Sequence, residues 1–327
     1  MNSRRNSLLV MAVSLAAVLI LALATGCTAN ANTTPAAEQT TASPAATSAG
    51  TPALQGTAET RAPAATQVAA SAGQKQTIRI SGSTTVLPIV QKAADQYMAA
   101  HADADIQVSG GGSGAGIQAV GAKTVDIGMS SREVTGAEMT KYPAFVVTPV
   151  AQDGIAVIVN PANGIRYITL DQIRDIYLGK ITKWTEIEGA GIAGTNNQIV
   201  VIGRDSASGT RTYFDEILLA KKTPTAKMLE KNSNGAVLQT VAQTPGSIGY
   251  VSIGFLGENV KALPVWYNAD RIIAPSLENV KSKTYPVSRE LYVITNGQPS
   301  GPAADFIVYL LSADGQKIVA NEGYVPL

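Results

Sequence analysis

The chain has 327 residues, 45% hydrophobic and 15% charged, with a formal net charge of +1. That length suits one large domain or two ordinary ones, and few aromatics with no basic stripe exclude the usual nucleic-acid binder. One Cys and one His exclude a Cys/His zinc site within one chain, and His101 lies in a polar Ala/Asp stretch without the nucleophile elbow of a Ser-His-Asp triad.

Residues 1–27 read as an export signal. Arg4 and Arg5 form a basic start, and Leu8 to Leu23 is an apolar run shorter than a typical spanning helix. The run ends Leu23-Ala24-Thr25-Gly26-Cys27, which resembles a bacterial lipobox with Cys27 as the lipidation site. An uncleaved N-terminal anchor is the alternative, and either puts the bulk of the chain outside the membrane. The sole Cys lies here, so the exported body carries no thiol. Residues 28–75 are rich in Ala, Thr, Pro and Ser, lack apolar periodicity, and are expected to form a disordered linker.

The folded body is expected from residue 76. Thr77–Ile80 alternates as a strand, Ser81–Thr85 is a polar turn, and a helix runs from Val86 to about Ala100 with Thr84 as N-cap and Pro88 in the first turn. Asp105–Ser109 is a second strand, running into the glycine-rich Gly110–Gly116 and a helix over Ile117–Ala122. Val125–Met129 is a third strand, closing on Ser130-Ser131-Arg132. Repetition of strand, polar turn and helix predicts a parallel α/β sheet, with ligands at the strands' C-terminal ends. Asp126 reads as a structural cap.

Ala144–Pro149 and Gly154–Asn160 read as two strands with Asp153 between them, leading into a new subdomain. Thr169–Gly179 is a capped helix ended by glycine. Ile199–Ile202 is a buried strand, and Thr212–Leu219 has helical spacing. Between them, Gly203–Arg211 reads G-R-D-S-A-S-G-T-R, placing Ser208, Gly209 and Thr210 where a strand becomes a helix. The first N–H groups there lack internal partners and carry partial positive charge. Arg204 adds a permanently charged planar fork, with Asp205 expected to orient it. Everything in this stretch donates to an anion. Leu238–Gln243 suggests a helix, Pro245–Val251 a strand crossing back, Tyr285–Ile294 a further strand, and Ala303–Leu311 a terminal helix.

Two rival motifs fall at the glycine-rich loop. Gly110-x-Gly112-x-x-Ala115 fits a loose dinucleotide fingerprint, but Ser-Ser-Arg stands where its acidic residue belongs. Gly116 to Thr124 misses the P-loop by one inserted Ala. The glycines read better as letting backbone N–H groups face a small anion, with Ser113 as N-cap donor.

Taken together, these residues resemble the phosphate-binding proteins of bacterial ABC transporters. The segments that carry the resemblance are Ser81–Thr84, Gly110–Gly114, Val125–Arg132, Ile176–Trp184, Gly203–Thr210, Pro245–Tyr250, Tyr285–Arg289 and Gly323–Leu327. It implies a two-lobed periplasmic-binding-protein-like class II fold, each lobe a mixed sheet flanked by helices, with two hinge crossings. Lobe I would comprise 76–156 and 249–327, and lobe II 157–248. The implied function is phosphate binding between the lobes and delivery to permease subunits, by a monomer without cofactor or catalysis. Other tetrahedral oxyanions (sulfate, molybdate), a non-transport sensor, and an enzyme acting on phosphate esters are the alternatives.

The resemblance implies ligand positions at Thr84 and Thr85, with Ser83 adjacent, at Ser113, and at Arg204, Ser208, Gly209 and Thr210. Some members carry an Asp as acceptor for the phosphate proton where this chain has Ser131, followed by Arg132. Asp153 is then the candidate substitute acceptor, and a turn-forming Asp before Gly154 is its plain alternative. Such an acceptor suits phosphate, which keeps a proton near neutral pH, and not sulfate.

Overall fold

The computed structural model describes residues 75–191, 197–267 and 271–327. The expected signal segment, Cys27 and linker lie outside these residues, apart from residue 75. The described residues fall in one unit, Ala69–Leu327.

In chain order the elements are β1 (Gln76–Gly82), α1 (Leu87–Ala100), β2 (Ala104–Ser109), α2 (Ser113–Gly121), β3 (Ile127–Ser130), α3 (Gly136–Lys141), β4 (Phe145–Val159), β5 (Ile168–Thr169) and α4 (Leu170–Tyr177). They continue with β6 (Val200–Arg204), α5 (Gly209–Ile217), β7 (Leu229–Lys231), α6 (Asn234–Gln243), β8 (Ser247–Ser252), β9 (Lys261–Ala262) and β10 (Val265–Tyr267). The last are β11 (Arg271–Ile273), α7 (Leu277–Lys281), β12 (Ser288–Asn296), α8 (Gly301–Leu311) and α9 (Ala313–Asn321).

One mixed sheet runs β2-β1-β3-β12-β4-β8-β6-β7, with β9 beside β4, and a small sheet runs β11-β10-β5. β1 is parallel to β2 and β3, and β6 is parallel to β7 and β8. Antiparallel pairing of β12 and β4 joins these two parallel wings. In parallel pairs the residues after each strand emerge at one end. The turns after β1, β2 and β3 therefore lie together, and β6, reversed by the three antiparallel steps through β12, β4 and β8, runs toward them from the other wing and brings its own turn to meet theirs.

The sheet carries two main apolar cores. One packs Ile78, Ile80, Ile89, Val90, Met129, Leu291, Val293 and Phe306; the other packs Ile155–Val159, Tyr177, Trp184, Ile202, Phe214, Val237 and Tyr250. Each fully buried Ile or Phe contributes about 1.5–3 kcal/mol relative to exposure, so both halves have apolar cores of their own.

The two strands expected around Asp153 are one continuous strand, β4. Its first part pairs with β12 up to Gly154, and Ile155–Val159 pair with β8. Pro149 cannot donate to a ladder, and a register shift between Leu291 and Tyr292 leaves Val150 as the extra residue beside it. The bulge lets the strand continue where the sequence suggests a break. Asp153 therefore lies in mid-strand opposite Arg289, not in a turn.

Two helix starts also differ from expectation. Helix α1 has Val86 as N-cap with no side-chain cap, and Ser83 Oγ, not Thr84, accepts from the N–H groups of Thr85 and Val86. Helix α2 begins at Ser113 with Gly112 as N-cap, four residues before Ile117. Gly112 has φ 94°, and a Cβ there would lie 2.6 Å from the Ala207 carbonyl oxygen. Only glycine accommodates both. Asp126 takes the structural role expected of it, accepting from the Arg79 N–H at 2.7 Å.

Candidate functional site

The turn after β1 is built by Ser83. Its N–H donates to the Met129 carbonyl at 2.9 Å and its hydroxyl closes the turn below Thr85. Thr85 is buried, and its carbonyl accepts from the Tyr324 hydroxyl at 2.8 Å. Its Oγ1 lies 3.1 Å from Thr210 Oγ1 and accepts from Asn234 Nδ2 at 2.9 Å. Thr84, beside it, is reached by the same amide at 3.5 Å.

The glycine-rich turn meets the opposite wing directly. Gly114 N–H donates to the Ala207 carbonyl at 3.0 Å. Ser113 Oγ accepts from the Ser131 N–H at 3.0 Å and lies 3.3 Å from Ser131 Oγ. Gly209 sits against this pair: a Cβ there would be 2.2 Å from Ser113 Oγ. Glycine is thus required for the approach of the two segments.

Ser208 caps α5, its hydroxyl accepting from the Arg211 N–H at 3.2 Å. The first two N–H groups of α5, on Gly209 and Thr210, have no acceptor within the helix. Arg211 fastens this turn from beneath, donating to the Arg204 carbonyl at 2.9 Å and to Glu230 and Asp215.

Arg204 is buried at the end of β6. Its Nε and Nη2 donate to the carbonyls of Lys231 and Asn232, each at 3.1 Å. Its Nη1 donates to none of the described residues. Asp205 does not hold it: the Asp205 carboxylate accepts from the Ala207 N–H at 2.9 Å in a local turn. Burial lowers Arg204 from the usual range, opposed by Asp205 and Tyr250 and reinforced by Arg289.

Arg132 is directed elsewhere. Its guanidinium makes a paired contact with Glu138, 2.8 Å to each oxygen, and bonds the Glu133 carbonyl. Glu138 also closes a capping box with Thr135 at the start of α3. Burial alone would raise the Glu138 carboxyl, but Arg132 and Thr135 hold it down at about 2. The structure thus brings Ser83, Thr85, Ser113, Ser131, Gly209 and Thr210 together, with Thr84 and Ser208 at the margin, and leaves Arg132 with Glu138.

The sequence reading did not single out Arg289, which joins the parts. Its Nε and Nη2 donate to Asp153 Oδ2 at 3.0 and 2.8 Å, and its Nη1 to the Ser131 carbonyl at 2.9 Å. Nη2 also reaches Thr210 Oγ1 at 3.0 Å and Thr85 Oγ1 at 3.5 Å. Ser252 Oγ donates to Asp153 Oδ1 at 2.6 Å, and the Ser252 N–H donates to Asn234. Burial raises the Asp153 carboxyl, opposed by Arg289, Ser252 and the Ile253 N–H. A signal for Arg289 was present: Arg289, Leu291 and Val293 alternate along β12, continuing the spacing of Val287 just before it, and all four are buried.

Hydroxyls, N–H groups and guanidinium hydrogens thus converge with hardly a free acceptor among them. Such a set suits an anion. Among the described residues no group of three or more His, Cys, Asp or Glu side chains could hold a metal ion.

A family model for the PBP superfamily domain matches residues 33–314. The phosphate-binding protein PstS of Bacillus subtilis is 36% identical over 252 residues, 76% of this chain and 80% of that protein. The phosphate ABC transporter substrate-binding protein of Clostridium perfringens, solved with bound phosphate, superposes with a TM-score of 0.70 at 32% identity, covering 77% of this chain and all of that one. An ABC-type phosphate transport receptor from Vibrio cholerae gives 0.63 at 29% identity, over 76% of this chain and all of that one. All are binding proteins or receptors rather than enzymes, and the mixed α/β, two-lobed fold expected from the sequence is the one they share. The chain belongs to the PBP superfamily and, within it, to the family of PstS phosphate-binding proteins.

Proposed function

We propose that the chain binds inorganic phosphate between two lobes, 76–156 with 249–327 and 157–248, and hands it to the permease subunits of an ABC transporter. The observation that carries this reading is the meeting of Thr85, Ser113, Ser131, Gly209 and Thr210, drawn from both wings of the sheet, around Arg289. Hydroxyls and helix N–H groups replace the water lost by the anion, and buried guanidinium groups offset its charge. Phosphate ligands in this reading are Thr84, Thr85, Ser113, Ser131, Arg204, Ser208, Gly209 and Thr210. Ser83 orders the first turn and Arg132 braces the third.

The reading extends to residues that carry no structural description. Residues 1–26 would be removed, leaving Cys27 as the lipidated first residue, and 28–75 would tether a monomeric body at the outer face of the cell membrane or in the periplasm. Calorimetry on the folded body with phosphate, sulfate and molybdate tests the ligand. Tight phosphate binding is expected. Sulfate binding without phosphate binding would overturn the assignment in favour of another oxyanion receptor.

A further inference from the structure

Asp153 has the burial and location of an acceptor for a ligand proton, but its oxygens are engaged. An ionised carboxylate has about four lone-pair sites. Arg289 Nε and Nη2 supply two donations to Oδ2 and Ser252 Oγ donates to Oδ1, and the side chain has no exposed surface. Neither oxygen is presented to an O–H from a ligand.

Arg289 has the opposite balance. Of its five N–H groups, Nε and one on Nη2 go to Asp153 and one on Nη1 goes to the Ser131 carbonyl. The other on Nη2 is shared by Thr210 and Thr85. The second hydrogen of Nη1 has no acceptor among the described residues, although the side chain is only 2% exposed. A buried donor without an acceptor is costly, and an anion is the partner that relieves it. Donation into Thr210 and Thr85 turns their hydroxyl hydrogens away from Arg289; one of the two serves their mutual 3.1 Å contact, and the other is left to donate to a ligand.

We propose that Arg289 is a second anion-facing cation beside Arg204, and that Asp153 is its positioning residue and takes no proton from the ligand. This rests on the phosphate-binding reading above. It differs from the expectation that Asp153 contacts the ligand, because a positioning residue has no effect of its own once the residue it positions is gone.

A double-mutant cycle with inorganic phosphate, read by calorimetry, separates the two. D153N leaves one acceptor oxygen and turns an amide N–H₂ toward the guanidinium. D153N and R289Q are each expected to weaken phosphate binding by at least about tenfold. The D153N/R289Q protein should lie within about threefold of R289Q. A further loss of about tenfold in the double variant, or wild-type affinity in either single variant, overturns the proposal.

Melting curves without phosphate report folding, and the double variant removes both members of the buried Asp153–Arg289 pair. Should R289Q not fold, sulfate competition against phosphate on D153N decides. An unchanged preference supports positioning, and a preference reduced about tenfold overturns it. A wild-type protein that binds no phosphate would overturn the function proposed above, whereas binding with additive losses would overturn only the role of Asp153.

Discussion

Gly209 marks where two chain segments come close enough to share a ligand. An added Cβ would lie 2.2 Å from Ser113 Oγ and 3.0 Å from Ser131 Oγ, well inside contact distance. Gly209→Ala must therefore push the start of α5 away from both serines. Calorimetry is expected to show phosphate affinity reduced by at least about tenfold, since small misplacements of donors are costly in a preorganised site. Affinity within about threefold of wild type would show that this approach is not needed. Gly209 was legible in the sequence as part of a helix start, but not its contact. Ser113 and Gly209 are far apart in the chain, and local spacing carries no trace of which turn faces which. Arg289 and Asp153 illustrate the same limit at 136 residues of separation. Alternation alone places Arg289 on a buried face, which flags it without naming its partner.

At the level of elements, α5 carries a charge arrangement that sets its own pH response. Arg211 holds the Arg204 carbonyl with one nitrogen and meets Asp215 one turn further on. Burial raises the Asp215 carboxyl from 3.8 to about 6, against the charge and hydrogen bond of Arg211. Its Oδ1 has no hydrogen-bond partner among the described residues. A raised value in the folded state favours the protonated form. The stabilisation is complete below 3.8 and is lost as the pH rises through about 6. Asp215→Asn cannot ionise, so it is expected to raise Tm relative to wild type near pH 7.5 and to lose that advantage near pH 4. A Tm difference that stays constant with pH would place the cost elsewhere. Glu138 has the opposite sign. Held at about 2, it stabilises the start of α3 above its ordinary 4.5, and this is lost as the pH falls toward 2. Neither response was legible in advance, because each depends on burial and on a neighbouring arginine rather than on residue type.

For the molecule as a whole, the alternation of strand, polar turn and helix was enough to read an α/β body but suggested a parallel sheet, whereas β12, β4 and β8 pair antiparallel; the order of the anion-facing turns was enough to place it in a family with a mixed sheet. The sequence did not reveal that β4 passes unbroken from one core to the other. Pro149 and Asp153-Gly154 look like interruptions, and only the bulge at Val150 and the pairing with β12 and β8 show why they are not. The continuous strand ties both halves of the sheet to one backbone, and Asp153 stands at the point of transfer.

The chain has two tryptophans, and their surroundings divide them cleanly. Trp184 is wholly buried, with its indole N–H donating to the Gly246 carbonyl at 2.8 Å, whereas Trp266 is 37% exposed with an edge contact to Tyr167. The protein therefore carries a shielded chromophore and a solvent-facing one. Iodide is expected to quench only the red-shifted part of the emission, and Trp266→Phe should leave a blue-shifted spectrum that iodide does not touch; residual quenching in that variant would contradict the burial of Trp184. With the exposed indole removed, the remaining emission reports on one half of the molecule alone, a built-in optical gauge for following that half without an attached dye.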